Sequence, residues 1–471
     1  MSTTNTELPN IVLVVFDTAR RDRFGCHGYS RPTTPTVDSL AGAGLKLENM
    51  VTNGPYTLPS HASLFTGLYP SQHGCQWQTG PRLRDGVRVT MAEWLRSLGY
   101  ETVCATSNGL ISNKTHLARG FDRYAARLDL ERGWKRTARR TKKALLGGDS
   151  GGHIVNSWLR RELSEVKRPF FLFVNYLECH WSYAPPGKFE RRMGGPRFNF
   201  LEGLNYRVRT ADSVGPWEAI ARADERKLDI YSTLYDGELA NVDAHLANLM
   251  DILENAGHLK DGRSIVMATS DHGEHIGEHG LADHHASLDD HLVRVPFIAW
   301  GPGLIPQATK QPMYEFVDVF PSLADLLGRE VPAQELSDRR RDLFEANGKP
   351  AGNDGYAFAE WRCWTPREQM RLAQRNPSYD FTGLARNLVS VRDSRYKLVR
   401  SSTGTEDLFD LQTDPDEENE ISSLMPEVVQ RLQRELDAAV ESWAGWDQEQ
   451  TPLSKEDQQE IEKRLADLGY I

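Results

Sequence analysis

The sequence predicts an α/β fold in which a parallel sheet is flanked by helices and a small antiparallel sheet follows near the C-terminus. Two patterns support this prediction. Between residues 10 and 300, short continuous apolar runs rich in β-branched residues alternate with helical patterns, which is typical of strands buried on both faces. From residue 387 onward the apolar residues instead alternate with polar ones, as in strands that expose one face.

The elements can be placed in chain order. Continuous apolar runs predict strands at 10–16, 45–50, 101–105, 170–175, 264–269 and 295–300, with a short helix at 36–44. Alternating runs predict strands at 388–391, 396–400 and 407–411, before helices at 428–443 and 455–468. We therefore expect a large α/β domain over 1–386, an antiparallel-sheet subdomain with a helix over 387–445, and a helical tail over 446–471.

Composition narrows the class of protein. A net charge of -10 and a pI near 5.8 give no reason to expect nucleic acid as a primary partner. No run approaches the ~20 apolar residues of a membrane span, and the polar N-terminus lacks a signal-peptide pattern, so we expect a cytoplasmic protein. The five scattered cysteines predict free thiols. The oligomeric state stays open, with a homo-oligomer among the alternatives.

Polar side chains follow the predicted strands where each strand ends. Because ligands bind at the carboxyl ends of strands in open α/β sheets, these side chains predict a single site. An alternative interpretation of Asp17 is that its side chain caps the turn that follows the strand. The other strand-end residues are Ser107, Asn108, Glu178, His180, Asp271, His272 and Glu274.

The stretch from Tyr56 to Pro70 places a hydroxyl at the predicted start of a helix. The first turn of a helix has unpaired N–H groups and favours an anion, which Thr57 would then face. By itself the stretch favours a plainer interpretation, in which Thr57 or Ser60 caps the helix and Pro59 lies in its first turn.

Four of these residues form a candidate metal site: Asp17, Thr57, Asp271 and His272. Their mixed oxygen and nitrogen donors suit Mn²⁺ or Zn²⁺. Ca²⁺ and Mg²⁺ are the less favoured candidates for this site, since Ca²⁺ prefers oxygen ligands alone. A bound ion would lower the pKa of the Thr57 hydroxyl, which is otherwise a poor nucleophile at neutral pH.

Other residues are predicted to serve the substrate or the metal ligands. His180 and His284 are candidates to hold substrate oxygens or to protonate the leaving group. The predicted substrate contacts are Arg20, His61, Asn108 and His285, and either His284 or His285 faces the site. Glu274, Glu278 and His279 are predicted to orient His272.

Two further segments have weaker patterns. Residues 131–143 are strongly basic, and a solvated helix is favoured over binding to a polyanion or a membrane surface. Residues 181–224 are rich in Arg, Gly and Pro, which predicts loops over the site rather than core.

Several motifs in order carry a resemblance to the sulfatase-like branch of the alkaline phosphatase superfamily. They span nearly the whole chain: Asn10 to Arg20, Thr33-Thr34-Pro35, Glu178-Cys179-His180, Tyr235 to Glu238 with Asp243, Asp271 to Glu274, Leu292 to Pro296, Phe316 to Ser322, Tyr396 to Leu398, and Leu408 to Leu411 with Asp414. The resemblance implies a mixed, mostly parallel sheet between helices. It also implies that Asp17, Thr57, Asp271 and His272 bind one divalent metal ion.

The sequence departs from conventional sulfatases at the residues that carry their chemistry. Their Cys/Ser-x-Pro-x-Arg motif, which supplies formylglycine, reads Thr57-Leu-Pro-Ser-His61 here, and threonine cannot become that aldehyde. The usual Asp-Asn pair is Asp271-His272, and the Gly-Lys-Trp-His motif is missing. The chain therefore resembles the threonine-dependent relatives, including phosphodiesterases, phosphonate hydrolases and phosphoglycerol transferases.

The resemblance implies an enzyme in which Thr57 attacks a small anionic ester and water or an alcohol resolves the intermediate. We expect a phosphomonoester, diester or phosphonate as the substrate. A sulfuric ester hydrolase without formylglycine is the first alternative, and a non-catalytic anion-binding protein is the second.

Overall fold

The computed structural model describes residues 8–76, 80–131, 143, 147–194, 203, 216–260, 262–302, 304, 313–331, 342–344, 355–443 and 455–468. The strands, in chain order, are β1 Asn10–Phe16, β2 Leu45–Val51, β3 Glu101–Thr106, β4 Arg123–Ala126, β5 Phe170–Tyr176, β6 Ser264–Ser270, β7 His275–Ile276, β8 Ala282–Asp283, β9 Arg294–Trp300, β10 Tyr314–Glu315, β11 Ala357–Trp361, β12 Leu388–Arg392, β13 Tyr396–Ser401 and β14 Glu406–Asp410. Each strand predicted from the sequence is present, with ends that differ by at most one residue.

The helices lie mostly between these strands. They are α1 Pro35–Ala43, α2 Thr57–Thr66, α3 Pro70–His73, α4 Met91–Ser97, α5 Arg127–Leu130, α6 Gly152–Glu162, α7 Gly187–Gly194, α8 Pro216–Ala221, α9 Glu225–Asn255, α10 Asp290–Val293, α11 Val319–Leu326, α12 Pro366–Arg375, α13 Pro426–Trp443 and α14 Lys455–Leu468. No helix among the described residues is long and apolar enough to cross a membrane.

An eight-stranded sheet forms the centre of the molecule, in the order β10-β2-β9-β6-β1-β5-β3-β4. β1 pairs in parallel with β5 and β6, and β3 pairs in parallel with β4 and β5. β9 runs antiparallel to β2 and β6. The sheet is therefore mixed and mostly parallel, as predicted.

The central strands are buried on both faces because helices cover the sheet. Every residue of β1, β5 and β6 is buried, which explains why these strands read as continuous apolar runs. Since the three strands are parallel neighbours, their carboxyl ends meet at one edge of the sheet. That edge carries the candidate site.

A second sheet of four strands, in the order β11-β12-β13-β14, is antiparallel and packs on α13. The antiparallel C-terminal sheet was predicted, but its first strand, β11, lies before residue 387. The small sheet thus takes a strand from the segment assigned to the large domain. The domain boundary at 387 stays a prediction.

The structure corrects one expectation about loops. The segment 181–224 contains α7 and α8, and Trp217, Phe189 and Met193 are buried there, so its described part includes core rather than loops alone. Most of the basic segment 131–143 lies outside the described residues.

Candidate active site

Three strand-end side chains meet where β1 and β6 end. Asp17 follows β1, and Asp271 and His272 follow β6. One ligand atom of each lies within 4.8 Å of the others, and all three residues are buried. The parallel pairing of Phe16 with Ser270 causes this, because it brings the next residues of both strands to the same level. The sequence prediction that these residues converge is confirmed.

Asp17 is held by two amides. Asn108 Nδ2 donates to Asp17 Oδ2 at 2.8 Å and Asn175 Nδ2 donates to the same oxygen at 3.3 Å. The other oxygen, Oδ1, is buried without a hydrogen-bond partner. Burial and the negative charge of Asp271 raise the pKa of Asp17 to about 7. Two buried carboxylates this close need a cation to stay ionised together.

Asp271 is oriented from the chain that follows β1. The backbone N–H of Thr18 donates to Asp271 Oδ1 at 3.1 Å, and Thr18 adopts a left-handed conformation with φ of 59°. Asp271 Oδ2 is buried without a hydrogen-bond partner. Burial acts to raise the pKa of Asp271, but the neighbouring His272 and His61 outweigh it and bring the pKa to about 2. Oδ2 is therefore a charged donor atom available to a metal.

His272 is held in one tautomer. Its Nδ1 lies 2.9 Å from the carbonyl oxygen of Gly273, and a carbonyl only accepts, so Nδ1 carries the proton and donates. In the neutral ring, Nε2 then has a free lone pair. Nε2 lies 3.3 Å from Asp271 Oδ2 and is buried without a hydrogen-bond partner. This is the arrangement of a histidine metal ligand.

Thr57 is the first residue of α2, and the preceding Tyr56 is the extended N-cap without a side-chain cap hydrogen bond. The interpretation in which Thr57 or Ser60 caps the helix is therefore wrong, although Pro59 does lie in the first turn. Thr57 is buried, and its Oγ1 accepts from Asn108 Nδ2 at 3.3 Å. Ser60 instead donates to the Asp271 carbonyl at 2.7 Å, which ties α2 to the end of β6.

His61 lies on the core side of the cluster. Its Nδ1 is 2.9 Å from the Thr57 carbonyl oxygen and 3.5 Å from Asp271 Oδ2. The ring packs edge-on against Phe65 and Phe173 and is fully buried, which lowers its pKa. This placement makes His61 a neighbour of Asp271 and does not support the predicted substrate contact.

His180, His284 and His285 lie beside the cluster. The His284 ring centroid is 4.4 Å from that of His272, 5.3 Å from that of His180 and 4.6 Å from that of His285. His285 also contacts Tyr56 and two tryptophans, at centroid distances of 5.7 Å, 5.4 Å and 5.9 Å. His284 therefore lies between the other two histidines and the metal-ligand candidates, and His285 lies against an aromatic wall.

The three histidines His180, His284 and His285 differ in protonation because, in the described part of the chain, only His284 is held by two carboxylates. Burial lowers the pKa of His284, but Asp283 Oδ1, 2.7 Å from Nδ1, and Glu274 outweigh it and raise that pKa well above its usual range. Burial lowers the pKa of His180 to about 4, and burial also lowers the pKa of His285. The site thus pairs a proton-carrying His284 with a neutral His180.

The structure does not bring Arg20 to the metal-ligand candidates. Its Nη2 donates to Asp22 Oδ2 at 2.8 Å and its Nη1 donates to Glu278 Oε1 at 2.5 Å. Both carboxylates raise its pKa against the effect of burial. A guanidinium held between two carboxylates does not support the predicted substrate contact.

The residues predicted to orient His272 act elsewhere, so that prediction is wrong. Glu274 Oε1 lies 3.3 Å from His284 Nδ1, Glu278 pairs with Arg20, and His279 Nε2 lies 3.7 Å from Asp289.

Sequence reasoning also missed three supporting residues: Asn175, Thr18 and Asp283. Only Asn175 had a signal in the sequence, as the polar last residue of a predicted strand.

The donor set fits a divalent metal ion. Asp17 Oδ1, Asp271 Oδ2 and His272 Nε2 are each buried without a hydrogen-bond partner, and they converge. Orphaned buried polar atoms of this kind are costly unless an ion or water satisfies them. Two carboxylate oxygens and one imidazole nitrogen are donors that first-row divalent metals accept.

Comparison with known proteins decides the family. The sulfatase family model matches residues 9–329, more than half of the chain. The chain belongs to the sulfatase family. This sulfatase-family chain is 24% identical over 467 residues to arylsulfatase K of Canis lupus familiaris, covering 91% of this chain and 82% of that protein.

Solved structures of other proteins share this fold. The phosphonate monoester hydrolase of Agrobacterium radiobacter matches this sulfatase-family chain with a TM-score of 0.71 at 22% identity, covering 93% of this chain and 95% of that one. A 2-O GAG sulfatase matches with a TM-score of 0.69 at 18% identity, covering 93% of each chain. The family consists of metal-dependent hydrolases, in agreement with the predicted enzyme class.

Proposed function

We propose that this chain hydrolyses a small phosphate-type ester, such as a phosphomonoester, phosphodiester or phosphonate, with Thr57 as the nucleophile. The observation that carries the proposal is the position of the Thr57 hydroxyl. It is at the start of α2 and shares the donor group of Asn108 with Asp17, a metal-ligand candidate.

Threonine at this position argues for direct attack. The family's aldehyde nucleophile forms from cysteine or serine, so Thr57 has only its hydroxyl to offer. Asp17, Asp271 and His272 would hold a divalent ion, which would lower the pKa of a nearby hydroxyl and neutralise charge on the substrate oxygens. Mn²⁺ or Zn²⁺ is the proposed metal because the donors include an imidazole nitrogen.

We assign separate roles in substrate binding and proton transfer to the remaining residues. The Thr57 hydroxyl loses its proton to solvent, and Oγ1 attacks phosphorus to form a phosphothreonine as the bond to the leaving-group oxygen breaks. Water then attacks that phosphorus, breaks its bond to Oγ1 and restores the threonine. His284 holds a proton beside the cluster and is the proposed acid for the leaving-group oxygen. His180 is neutral and its Nδ1 donates to the Trp181 carbonyl at 2.9 Å, so the proposed contact through Nε2 is one that accepts from a protonated substrate oxygen. The unpaired N–H groups of the first turn of α2 offer donors to the anion.

Sulfate ester hydrolysis is the second candidate. Relatives named arylsulfatase K and a structural neighbour named a 2-O GAG sulfatase favour it. The neighbours named phosphonate monoester hydrolases favour the first candidate. Membership in a hydrolase family argues against a non-catalytic anion-binding protein.

Turnover of matched substrates separates the two candidates. The full chain, supplied with Mn²⁺ or Zn²⁺, is assayed with aryl phosphate, phosphate diester, phosphonate and sulfate esters that share one leaving group. We expect the phosphorus esters to turn over faster, Thr57→Ala to abolish turnover, and mass spectrometry of quenched reactions to find phosphate on Thr57. A clear preference for sulfate would overturn the ranking, and full activity of Thr57→Ala would overturn the nucleophile.

A further inference from the structure

A second group of potential metal ligands lies apart from the candidate active site. Asp149 precedes α6, Glu178 follows β5, and His245 lies in α9. One ligand atom of each lies within 4.8 Å of the others. Three separate elements thus direct a carboxylate, a second carboxylate and an imidazole to one point.

This group lies on the opposite face of the sheet from Asp17. Successive side chains of a strand point to opposite faces. Asn175 of β5 reaches Asp17, whereas the next residue, Tyr176, stacks on the His245 ring at a centroid distance of 5.7 Å. The two groups are therefore separate sites, although Glu178 and His180 share one strand end.

Glu178 supplies the observation that points to a ligand. Its side chain is fully buried, and Oε1 accepts from the Gly152 N–H at 2.9 Å and lies 3.8 Å from His245 Nε2. Its second oxygen, Oε2, is buried without a hydrogen-bond partner. A carboxylate oxygen that faces neither water nor a donor is costly, and a cation would remove that cost.

The candidate ligand atoms of the other two residues, Asp149 and His245, contact each other directly. Asp149 Oδ1 accepts from the Gly151 N–H at 2.6 Å and lies 2.6 Å from His153 Nδ1, which leaves Oδ2 in contact with His245 Nε2. Bonds of this kind to the second oxygen commonly fix metal-binding carboxylates.

A cation would take the place of a proton here. Burial lowers the pKa of His245, but Asp149 and Glu178 outweigh it and raise that pKa, so the ring carries a proton toward Asp149. A divalent ion would displace that proton and face both carboxylates.

We propose that Asp149, Glu178 and His245 bind a divalent transition-metal ion, Zn²⁺ or Mn²⁺, that links α9 to the end of β5 and to the loop before α6. The donors are two oxygens and one nitrogen, which suits these metals better than Ca²⁺. The ion holds the strand end two residues before His180 and has a structural role.

Metal content tests the proposal. The full chain is equilibrated with buffered Zn²⁺, and in a separate sample with Mn²⁺, and the ions bound per chain are counted by mass spectrometry. We expect wild type to bind a second ion, which Glu178→Gln loses and Asp271→Asn keeps. Glu165→Gln is the matched control because that side chain is 68% exposed, and it should bind as wild type does. Equal metal content of Glu178→Gln and wild type would overturn the site.

A second measurement avoids dependence on the folding of a variant. Wild-type crystals equilibrated with Zn²⁺ are measured at the zinc absorption edge. We expect an anomalous peak between Asp149 Oδ2 and His245 Nε2. Absence of that peak while the Asp17–Asp271 site is occupied would mean that a protonated His245 pairs with the two carboxylates, and the proposal would be wrong.

Discussion

Asn108 Nδ2 lies 3.3 Å from Thr57 Oγ1 and donates to it, while the same nitrogen donates to Asp17 at 2.8 Å. Asn108 Oδ1 in turn accepts from the Leu110 N–H at 2.9 Å. The amide is thus engaged with the protein on both sides. The contacts indicate that it positions the nucleophile relative to a metal ligand, whereas the sequence predicts a substrate contact.

Asn108→Ala distinguishes the two roles. Because a misplaced nucleophile slows the chemical step, we expect kcat to fall by about 10²-fold with little change in KM. Steady-state kinetics on the best phosphorus ester measure the split. Asn113→Ala, at an exposed position of the same loop, is the control. A rise in KM at unchanged kcat would instead support the predicted contact between Asn108 and the substrate.

His284→Ala is expected to slow esters with poor leaving groups most. An alkoxide leaving group needs a proton and a nitrophenolate does not, so the loss should reach about 10²–10⁴-fold for the former and be small for the latter. Rates across a series of leaving groups measure this. His285→Ala is the matched control, and it should show no such dependence. The reverse pattern would assign the acid to His285.

His272→Asn is expected to shift metal preference toward Ca²⁺. The change replaces an imidazole nitrogen by an amide oxygen and so gives the all-oxygen donor set that Ca²⁺ favours. Activity restored by Mn²⁺, Zn²⁺ or Ca²⁺ after chelation measures the preference. The same order of metals in wild type and variant would contradict the assignment of His272 as a ligand.

Lys397→Ala is expected to destabilise the attachment of the small sheet. Lys397 of β13 is fully buried, and its Nζ lies 2.9 Å from Glu417 Oε1 and 3.4 Å from Asp290 Oδ1 in α10. Removing it leaves the buried Glu417 without its charged partner, although Asp290 keeps its ion pair with Arg392, and the loss should lower the free energy of unfolding by about 3–5 kcal/mol.

Denaturant unfolding measures the effect of Lys397→Ala. Arg395→Ala is the control because its ion pair with Asp410 is half exposed, and the change should be much smaller. Equal effects of the two changes on the free energy of unfolding would show that the buried ion pairs of Lys397 stabilise the fold no more than the half-exposed pair of Arg395.

His73 makes stability depend on pH. The Cys75 N–H donates to His73 Nδ1 at 3.0 Å, so the folded ring is neutral, and burial lowers its pKa from 6.5 to about 3. Between these values the unfolded chain binds the proton more tightly, so stability is complete above pH 6.5 and is lost as the pH falls toward 3.

His73→Gln should reduce this pH dependence. We expect the free energy of unfolding of wild type to fall more steeply with acid than that of the variant, by up to about 1.4 kcal/mol per pH unit. Denaturant unfolding of both proteins between pH 4 and pH 7 measures the difference in slope. This range covers most of the interval between the folded pKa of about 3 and the ordinary pKa of 6.5. Parallel curves would contradict a neutral buried His73.

Much of the fold follows from local pattern. The strands β1, β5 and β6 are buried on both faces and so read as apolar runs without help from distant residues. β11 was not predicted, although it pairs with β12 over five residues. Its place in the small sheet depends on a partner that lies far along the chain, and no local pattern specifies that partner.

The sequence by itself determined the chemical groups at the sheet edge: Asp17, Asp271 and His272 at strand ends and Thr57, rather than cysteine or serine, at the start of a helix. Parallel strands bring their ends together, so this much needed only the strand pattern.

The tertiary structure decided which polar side chains face the metal-ligand candidates and which are paired elsewhere. Arg20 is held by Asp22 and Glu278, and His284 by Asp283 in a left-handed conformation with φ of 66°. The physical reason is that a buried charge takes its role from the partner that satisfies it, and such partners can lie more than two hundred residues away.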